Sequence, residues 1–421
     1  MRYLARAVDK VLPELLSGFG GVVIEGARAC GKTSTGLEHS ASSIRLDDPR
    51  MSKLIELDPS YTLAGETPRL IDEWQLQPQV WNSLRHEIDA RQKAGQFILS
   101  GSATPADEAR RHTGVGRIGR LRMRPMTLAE SEKSSNLVDL GQLTSKSKLS
   151  GVRAKLTYQE LAEAAVTGGW PSLLDQKLSF AMRFNRSYVE DLSTLHVPEL
   201  LGSRPDTVRF TRLFQSLSRN IGSEVTASTL AKDVNADGTE ISAKSVRTYL
   251  DALSRIFILE ELPAWSVAVR SKARLRNQAK LMLTEPALAC ASLGISATVL
   301  AQDPEYFGQL FENMTVRDIR TYASVLDAQT FHYRDSNGLE SDLILEFPDG
   351  SWAALEIKLG SSDKTLAQAE KTLLKLAHTV NTERRGQPRF LAVITGGEFG
   401  FTLASGIHVI PLSSLAVPEA A

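Results

Sequence analysis

The feature that most restricts this chain is the run Gly26-Ala-Arg-Ala-Cys-Gly31-Lys32-Thr33, a complete G-x-x-x-x-G-K-[ST] pattern. It follows an apolar stretch, Val22-Val-Ile-Glu, and precedes a segment with helical patterning. A strand, a glycine-rich turn and a helix in that order curl backbone N–H groups around phosphate oxygens at a helix start. In such a loop Lys32, expected to be exposed, meets the β- and γ-phosphate charge, and the Thr33 hydroxyl ligates Mg²⁺. Gly26, Ala27, Arg28, Ala29, Cys30, Gly31, Lys32, Thr33 and Ser34 are therefore the expected nucleotide-binding residues, with ATP and Mg²⁺ as cofactors. Cys30 is read simply as a small residue that fits the loop.

A phosphate loop of this kind needs acids from a second strand, and Leu70-Ile-Asp72-Glu73 supplies them. Asp72 is expected to hold Mg²⁺, and Glu73 to orient or deprotonate an attacking water. A further apolar run, Phe97-Ile-Leu-Ser100-Gly-Ser102, ends in hydroxyls, so Ser102 or Ser100 is a candidate sensor of the γ-phosphate. In Leu46-Asp47-Asp48-Pro49, Asp48 reads as a helix cap with Pro49 in the first turn. Asp47 is a weaker candidate for the catalytic face. Residues 110–124 hold six arginines and no acid. Arg117, with Arg120 second, is the candidate for neutralising transition-state charge in cis or from a neighbouring subunit, which leaves room for a homo-oligomer. An exposed basic strand explains the same residues equally well.

A second constellation lies near the C-terminus. Asp342 opens one predicted strand, and Glu356-Ile-Lys358 sits on the next, across a Pro348-Asp-Gly350 turn. Residues two apart share one strand face, so Glu356 and Lys358 point to the same side. Asp342 and Glu356 are candidate metal ligands and Lys358 a candidate catalytic lysine of a phosphodiesterase, with Glu312 as a possible third oxygen ligand and Gln368 weaker. Acid-x-Lys on an exposed strand is also an ordinary cross-strand pair.

The chain has 421 residues, enough for two to three domains. Its 49 basic and 49 acidic residues cancel, which argues against wholesale coating of nucleic acid but not against a local basic groove. Two distant cysteines, Cys30 and Cys290, suggest neither a disulfide framework nor a zinc cluster. The charged N-terminus reads as an amphipathic helix rather than a secretory signal, and 286–301 falls short of a membrane span, so a cytoplasmic protein with no membrane partner is expected. Alternating apolar runs and amphipathic stretches in the first third predict a parallel α/β sheet. The polar stretch 130–152 reads as an exposed linker or lid, and Gly168-Gly-Trp-Pro171 as a tight corner between helices. Residues 205–265 look like a winged helix-turn-helix, with helices at 226–233 and 242–256 and a wing strand from Phe257. Lys244 and Arg247, and the run Arg270, Lys272, Arg274, Arg276 and Lys280, are its basic features. They suit DNA phosphates, while Asp251 on the same helix suits protein docking as well.

The order GARACGKT, LDDP, RLIDEWQ, FILSGS, GVGRIGRLRMRPMTLAE and GGWP, followed by LESDLILEF and AALEIKLG, resembles a prokaryotic family of AAA-like ATPases. In that family the ATPase is fused to a C-terminal domain of unknown function with a PD-(D/E)xK, restriction-endonuclease-like fold. The resemblance implies an α/β chain divided into an AAA-like P-loop ATPase domain over 1–135, a linker and helical segment over 136–204, a winged helix over 205–265, and a restriction-endonuclease-like α/β domain over 285–421. Trp74 stands where an aliphatic residue is usual, and Glu285-Pro286 where Asp-Thr is common. The expected function is a Mg²⁺-dependent ATPase controlling a winged-helix and nuclease-like module that acts on DNA. The alternative is a nucleotide-switched regulatory or protein-docking ATPase with an inactive nuclease fold.

Overall fold

A computed structural model gives the fold and describes residues 2–102, 114–201, 206–235, 240–266, 278–382 and 385–419. The first sheet is built from β1 (Gly21–Glu25), β2 (Ser42–Arg45), β3 (Arg69–Asp72), β4 (Phe97–Gly101) and β5 (Ile118–Arg122). They lie in the order β2-β3-β4-β1-β5, each pair parallel. Continuous apolar runs suit strands covered on both faces. Val22, Ile24, Leu70 and Ile98 enter one core, whereas Val23, Ile71, Phe97 and Leu99 enter another, as the twofold alternation of side chains demands. Asp48 caps the helix Pro49–Leu57, accepting the Arg50 N–H at 2.9 Å, with Pro49 at the first helical position. The register sets Glu25 beside Gly101 and Asp72 beside Ser100, so β1, β3 and β4 end at one edge of the sheet.

The segment read as an exposed linker is instead a strap on the C-terminal sheet. Val138, Leu140, Leu143 and Val152 are buried, and β6 (Val152–Arg153) joins that sheet. The Val138 N–H donates to Ser414 O at 3.0 Å, the Ala416 N–H to Val138 O at 2.8 Å, and the Ser134 hydroxyl to Leu415 O at 2.6 Å. The polar residues between these anchors face solvent, which is why composition alone suggested a free linker.

Helices Tyr158–Thr167 and Leu178–Asp191 meet at the expected corner. Gly169 is required there, because a Cβ would lie 2.1 Å from Met126 O. Further along, helices Thr207–Arg219, Ala227–Asn235 and Ala243–Arg255 precede an antiparallel pair, β7 (Leu259–Leu262) and β8 (Lys280–Leu283). Ser242 caps the last of these helices and Thr226 the one before it.

The long helix Pro304–Val325 leads into β9 (Gln329–Arg334), β10 (Glu340–Glu346), β11 (Trp352–Lys358), β12 (Leu391–Thr395), β13 (Phe399–Thr402) and β14 (His408–Pro411). The sheet order is β6-β13-β14-β12-β11-β10-β9, with helix Asp363–Thr382 packed on β10, β11 and β12. No helix among the described residues is long and apolar enough to cross a membrane.

Candidate functional site

The phosphate loop leaves β1 at the edge where β3 and β4 also end, the usual place for ligands on a parallel sheet. Its path depends on two left-handed residues, Ala29 (φ 65°) and Gly31 (φ 104°). Gly26 has no room for a side chain, since a Cβ would meet Met123 O at 2.1 Å. Lys32 is buried rather than exposed: its ammonium donates to Gly26 O (3.0 Å) and Ala27 O (2.9 Å), inside the curl of the loop.

Asp72 is 1% exposed and receives the Thr33 hydroxyl at 3.0 and 3.1 Å from its two oxygens, together with the Ser100 hydroxyl. Its nearest cation is the Arg45 guanidinium at 3.9 Å. A buried carboxylate with two hydroxyls and no close ammonium is an oxygen-only donor set, which suits a hard divalent cation. Glu73 follows in the left-handed region (φ 56°), a conformation that costs an L-residue roughly 1–2 kcal/mol and swings its carboxylate out of the strand line. That carboxylate accepts from Gln75 Nε2 and, at 3.3 Å, from the Ser102 hydroxyl. Arg28 Nε donates to Ser102 at 3.4 Å and its other arm pairs with Glu199 at 2.9 Å. Thus Lys32, Thr33, Asp72, Glu73, Ser100 and Ser102 converge, with Ser100 on Asp72 and Ser102 on Glu73. Gln75, which sequence reasoning missed, holds Glu73 from two residues downstream. Its Oε1 is buried without a hydrogen-bond partner.

Arg6 was missed as well. Its guanidinium donates to Cys30 O in the loop (2.9 Å), to Arg124 O after β5 (2.8 Å) and to Glu130 (3.1 Å), so the chain start braces the loop from behind. The Tyr188 hydroxyl donates to Arg28 O at 3.1 Å. A cavity of about 290 Å³ opens beside Gly31 and Ser34, walled by Tyr3, Leu4, Met126 and Leu174.

Arg117 is not brought to this site. β5 runs parallel to β1 with Ile118 opposite Gly21, which leaves Arg117 at the other end of the sheet, ion-paired to Asp89 at 2.6 Å. Four strand residues, or about 13 Å, separate that end from the loop edge. Arg120 pairs with Glu25, and Asp47 pairs with Arg45 at 3.3 Å on the surface. Arg110 and Arg111 lie outside the described residues.

At the C-terminal constellation, β10 and β11 place Asp342, Glu356 and Lys358 together. The Lys358 ammonium lies 2.9 Å from Asp342 and 2.7 Å from Glu356, and the Ile357 N–H donates to Asp342 at 2.7 Å. Burial, reinforced by Asp342, pushes the Glu356 carboxyl up to about 8. Burial alone would lower Lys358, but Asp342 and Glu356 outweigh it and raise the ammonium. Glu312 is raised by burial and by Asp342, while Lys280 sits 2.6 Å from it. Gln368 is exposed. Among the described residues no group of three or more His, Cys, Asp or Glu side chains is placed to hold a metal ion. An ammonium fills the position between the two candidate ligands, so the side chains as arranged do not form a cation cage.

Of the basic features, Lys244 and Arg247 are exposed on one helix, Lys280 is taken by Glu312, and 270–276 lies outside the described residues.

Residues 19–132 match a family described as an AAA domain. Residues 158–299 and 307–415 match two domains of unknown function, DUF8612 and DUF4143. An uncharacterized protein of Mycobacterium tuberculosis (strain ATCC 25618 / H37Rv) and one of Mycobacterium bovis (strain ATCC BAA-935 / AF2122/97) are each 21% identical over 404 residues, covering 94% of this chain and 80% of theirs. Among solved structures, a Walker-type ATPase of Pyrococcus abyssi aligns with 70% of this chain and 99% of its own, at 13% identity and a TM-score of 0.41. The N-terminal part is an AAA-type P-loop ATPase domain, and the phosphate loop, Asp72 and Glu73 all fall inside the matched range.

Proposed function

We propose that the chain is a Mg²⁺-dependent ATPase whose nucleotide cycle controls the winged-helix-like and nuclease-like modules packed around it, with DNA as the partner. The observation that carries the reading is the convergence of Thr33 and Ser100 on buried Asp72, beside Lys32 and the Glu73–Ser102–Gln75 cluster. Thr33 and Asp72 are the residues that would hold Mg²⁺, which supplies charge neutralisation between phosphate oxygens when bound. Lys32 exchanges the Gly26 and Ala27 carbonyls for phosphate oxygens, a stronger charge-assisted pairing. Glu73, aimed by its left-handed backbone and held by Gln75, orients the attacking water and accepts its proton. Ser102 ties Glu73 to Arg28, so the loop and the water-positioning carboxylate move as one hydrogen-bonded unit. The test is ATP hydrolysis by the full chain, with and without DNA. No Mg²⁺-dependent turnover would end the ATPase reading, and turnover indifferent to DNA together with no DNA binding would end the partner assignment.

The Lys358 ammonium between Asp342 and Glu356 favours a second reading, in which the C-terminal module regulates or docks and does not cut. Nicking of supercoiled plasmid by the full chain in Mg²⁺ or Mn²⁺, lost in Asp342→Asn, supports the nuclease. No nicking at any metal concentration supports the regulatory form.

A further inference from the structure

An open cleft of about 610 Å³ lies at the end of β5, on the same edge of the sheet as the phosphate loop, where the helix Ala243–Arg255, β7 and the long helix Pro304–Val325 meet it. Four guanidiniums line it from three separate elements: Arg122 and Arg124 from the end of β5, Arg247 from the helix, and Arg320 from the long helix. Glu260 on β7 is the acid at their centre, 3.0 Å from Arg124 and 3.1 Å from Arg320. Arg122 makes no ion pair among the described residues; its guanidinium rests 4.1 Å over the Phe257 ring. Arg320 Nη1, though ion-paired, makes no hydrogen bond of good geometry. Two further acids line the cleft, Asp251 and Glu261; Asp251 leans toward Arg255 at 4.0 Å and both are exposed.

One largely buried carboxylate therefore pairs with two guanidiniums and leaves Arg122 and Arg247 without it. The electrostatics agree. Burial opposes ionisation of Glu260, yet Arg124, Arg320 and Arg122 together hold it down to about 2. Burial lowers Arg320 to about 10 in spite of Glu260, with Arg124 and Arg122 adding to the effect. Arg122 is lowered by burial too. Positive charge is in excess of what Glu260 neutralises, and guanidinium forks are the groups that bind phosphate oxygens in pairs.

We propose that this cleft is a phosphate-binding site that receives the backbone of a nucleic-acid strand. Continuity favours a strand over a free oligophosphate. Lys244 and Arg247 are three residues apart on one helix face and both exposed, so the positive surface runs out of the cleft along the helix. The site would let one strand touch the ATPase sheet through Arg122 and Arg124 and the C-terminal half through Arg320 at once. The inference rests on DNA as the partner and adds where the strand lies.

The experiment uses the full chain, a fluorescein-labelled single-stranded DNA 20-mer and anisotropy between 50 and 200 mM KCl. Arg122→Gln and Arg247→Gln should each weaken binding roughly three- to tenfold and lower the salt slope by about 0.7. Arg183→Gln, an equal loss of charge outside the cleft, should change neither, and ATP hydrolysis without DNA should be unchanged in Arg247→Gln. Because Arg247 is exposed, its removal does not threaten the fold even if Arg122→Gln does. Cleft variants that match Arg183→Gln would overturn the site while leaving the DNA reading intact. No DNA binding by the wild type overturns both. Pyrophosphate binding that is lost in the cleft variants while DNA binding persists in them would assign the site to free phosphates and refute the strand.

Discussion

Arg6→Ala tests whether the chain start braces the phosphate loop. The Arg6 and Glu130 side chains are 4% and 1% exposed, so the substitution strands a buried carboxylate. Breaking a buried pair from one side costs about 3–5 kcal/mol. Glu130 keeps the Ala7 and Thr127 N–H groups, both at 2.7 Å, which argues for the lower end of that range. Cys30 O and Arg124 O lose their Arg6 donors at the same time, at about 1 kcal/mol each. A net loss of about 5 kcal/mol corresponds to a fall of roughly 10–20 °C in the unfolding midpoint of a domain of 150–250 residues. Freeing Cys30 O also loosens the loop, so ATP should bind more weakly. Scanning calorimetry and titration with a fluorescent ATP analogue read the two effects. Arg6→Ala and Glu130→Ala combined should cost about 2 kcal/mol less than their sum, because the second substitution removes the stranded charge. A midpoint within about 2 °C of wild type, or a strictly additive cycle, would refute the reasoning.

Lys32→Ala should abolish ATP turnover while the chain stays folded, as judged by circular dichroism; wild-type turnover in the folded variant would remove Lys32 from the site. Glu73→Gln should bind ATP and hydrolyse it about 10²–10⁴-fold more slowly, since the amide keeps the shape but cannot take the proton. Single-turnover kinetics check this, and an unchanged rate would make Glu73 a bystander. Glu260 has a folded-state pKa near 2, below its ordinary 4.5, so its contribution to stability is present above about 4.5 and is lost as the pH falls toward 2. Glu260→Gln should therefore be less stable than wild type at pH 7, with the gap closing on acidification; a gap independent of pH would contradict the assignment.

The sequence pattern revealed what local chemistry dictates. A phosphate loop, an Asp-Glu pair closing an apolar run and a strand ending in hydroxyls each carry their own signal, and parallel pairing brings them to one edge. Asp48 was legible as a cap for the same reason: the residue type and its neighbours decide. Where pairing register decides, the sequence was silent. Six arginines in fifteen residues suggested a catalytic arginine, but whether Arg117 opens or closes its strand depends on Ile118 lying opposite Gly21. The strap at 130–152 was misread because its apolar anchors are spaced among serines and lysines, and their burial depends on a sheet formed more than two hundred residues later. Gln75 offered only its spacing from Glu73, and Arg6, within a stretch patterned as helix, offered no signal. The helix in fact starts at Val8, and that leaves Arg6 free to turn inward.

These misreadings bear on how the chain can be tested. Residues 285–421 are the bounds expected for the C-terminal domain, and a fragment cut there would be the simplest way to probe its carboxylates. It would lack β6, the strap that hydrogen-bonds Ser413, Ser414 and Leu415, and the partners of the long helix. That helix places Asp318 under the Leu128 N–H at 2.9 Å, and Glu285, which stays paired with Arg317 in the fragment, accepts the Gly169 N–H at 2.7 Å, a donor the fragment lacks. Asp318, pushed up to about 6 by burial, would keep Arg317 but lose the Leu128 N–H that helps offset that burial, Glu312 would lose Lys280, and Arg320 would lose Glu260. The same helix carries Glu312 toward the carboxylate cluster and Arg320 into the cleft. Cutting the chain at 285 would therefore remove the satisfying groups from several buried charges at once, each costly to leave unpaired. Loss of an activity in that fragment would report unfolding, so the functional roles of Asp342, Glu356 and Lys358 have to be read in the intact protein.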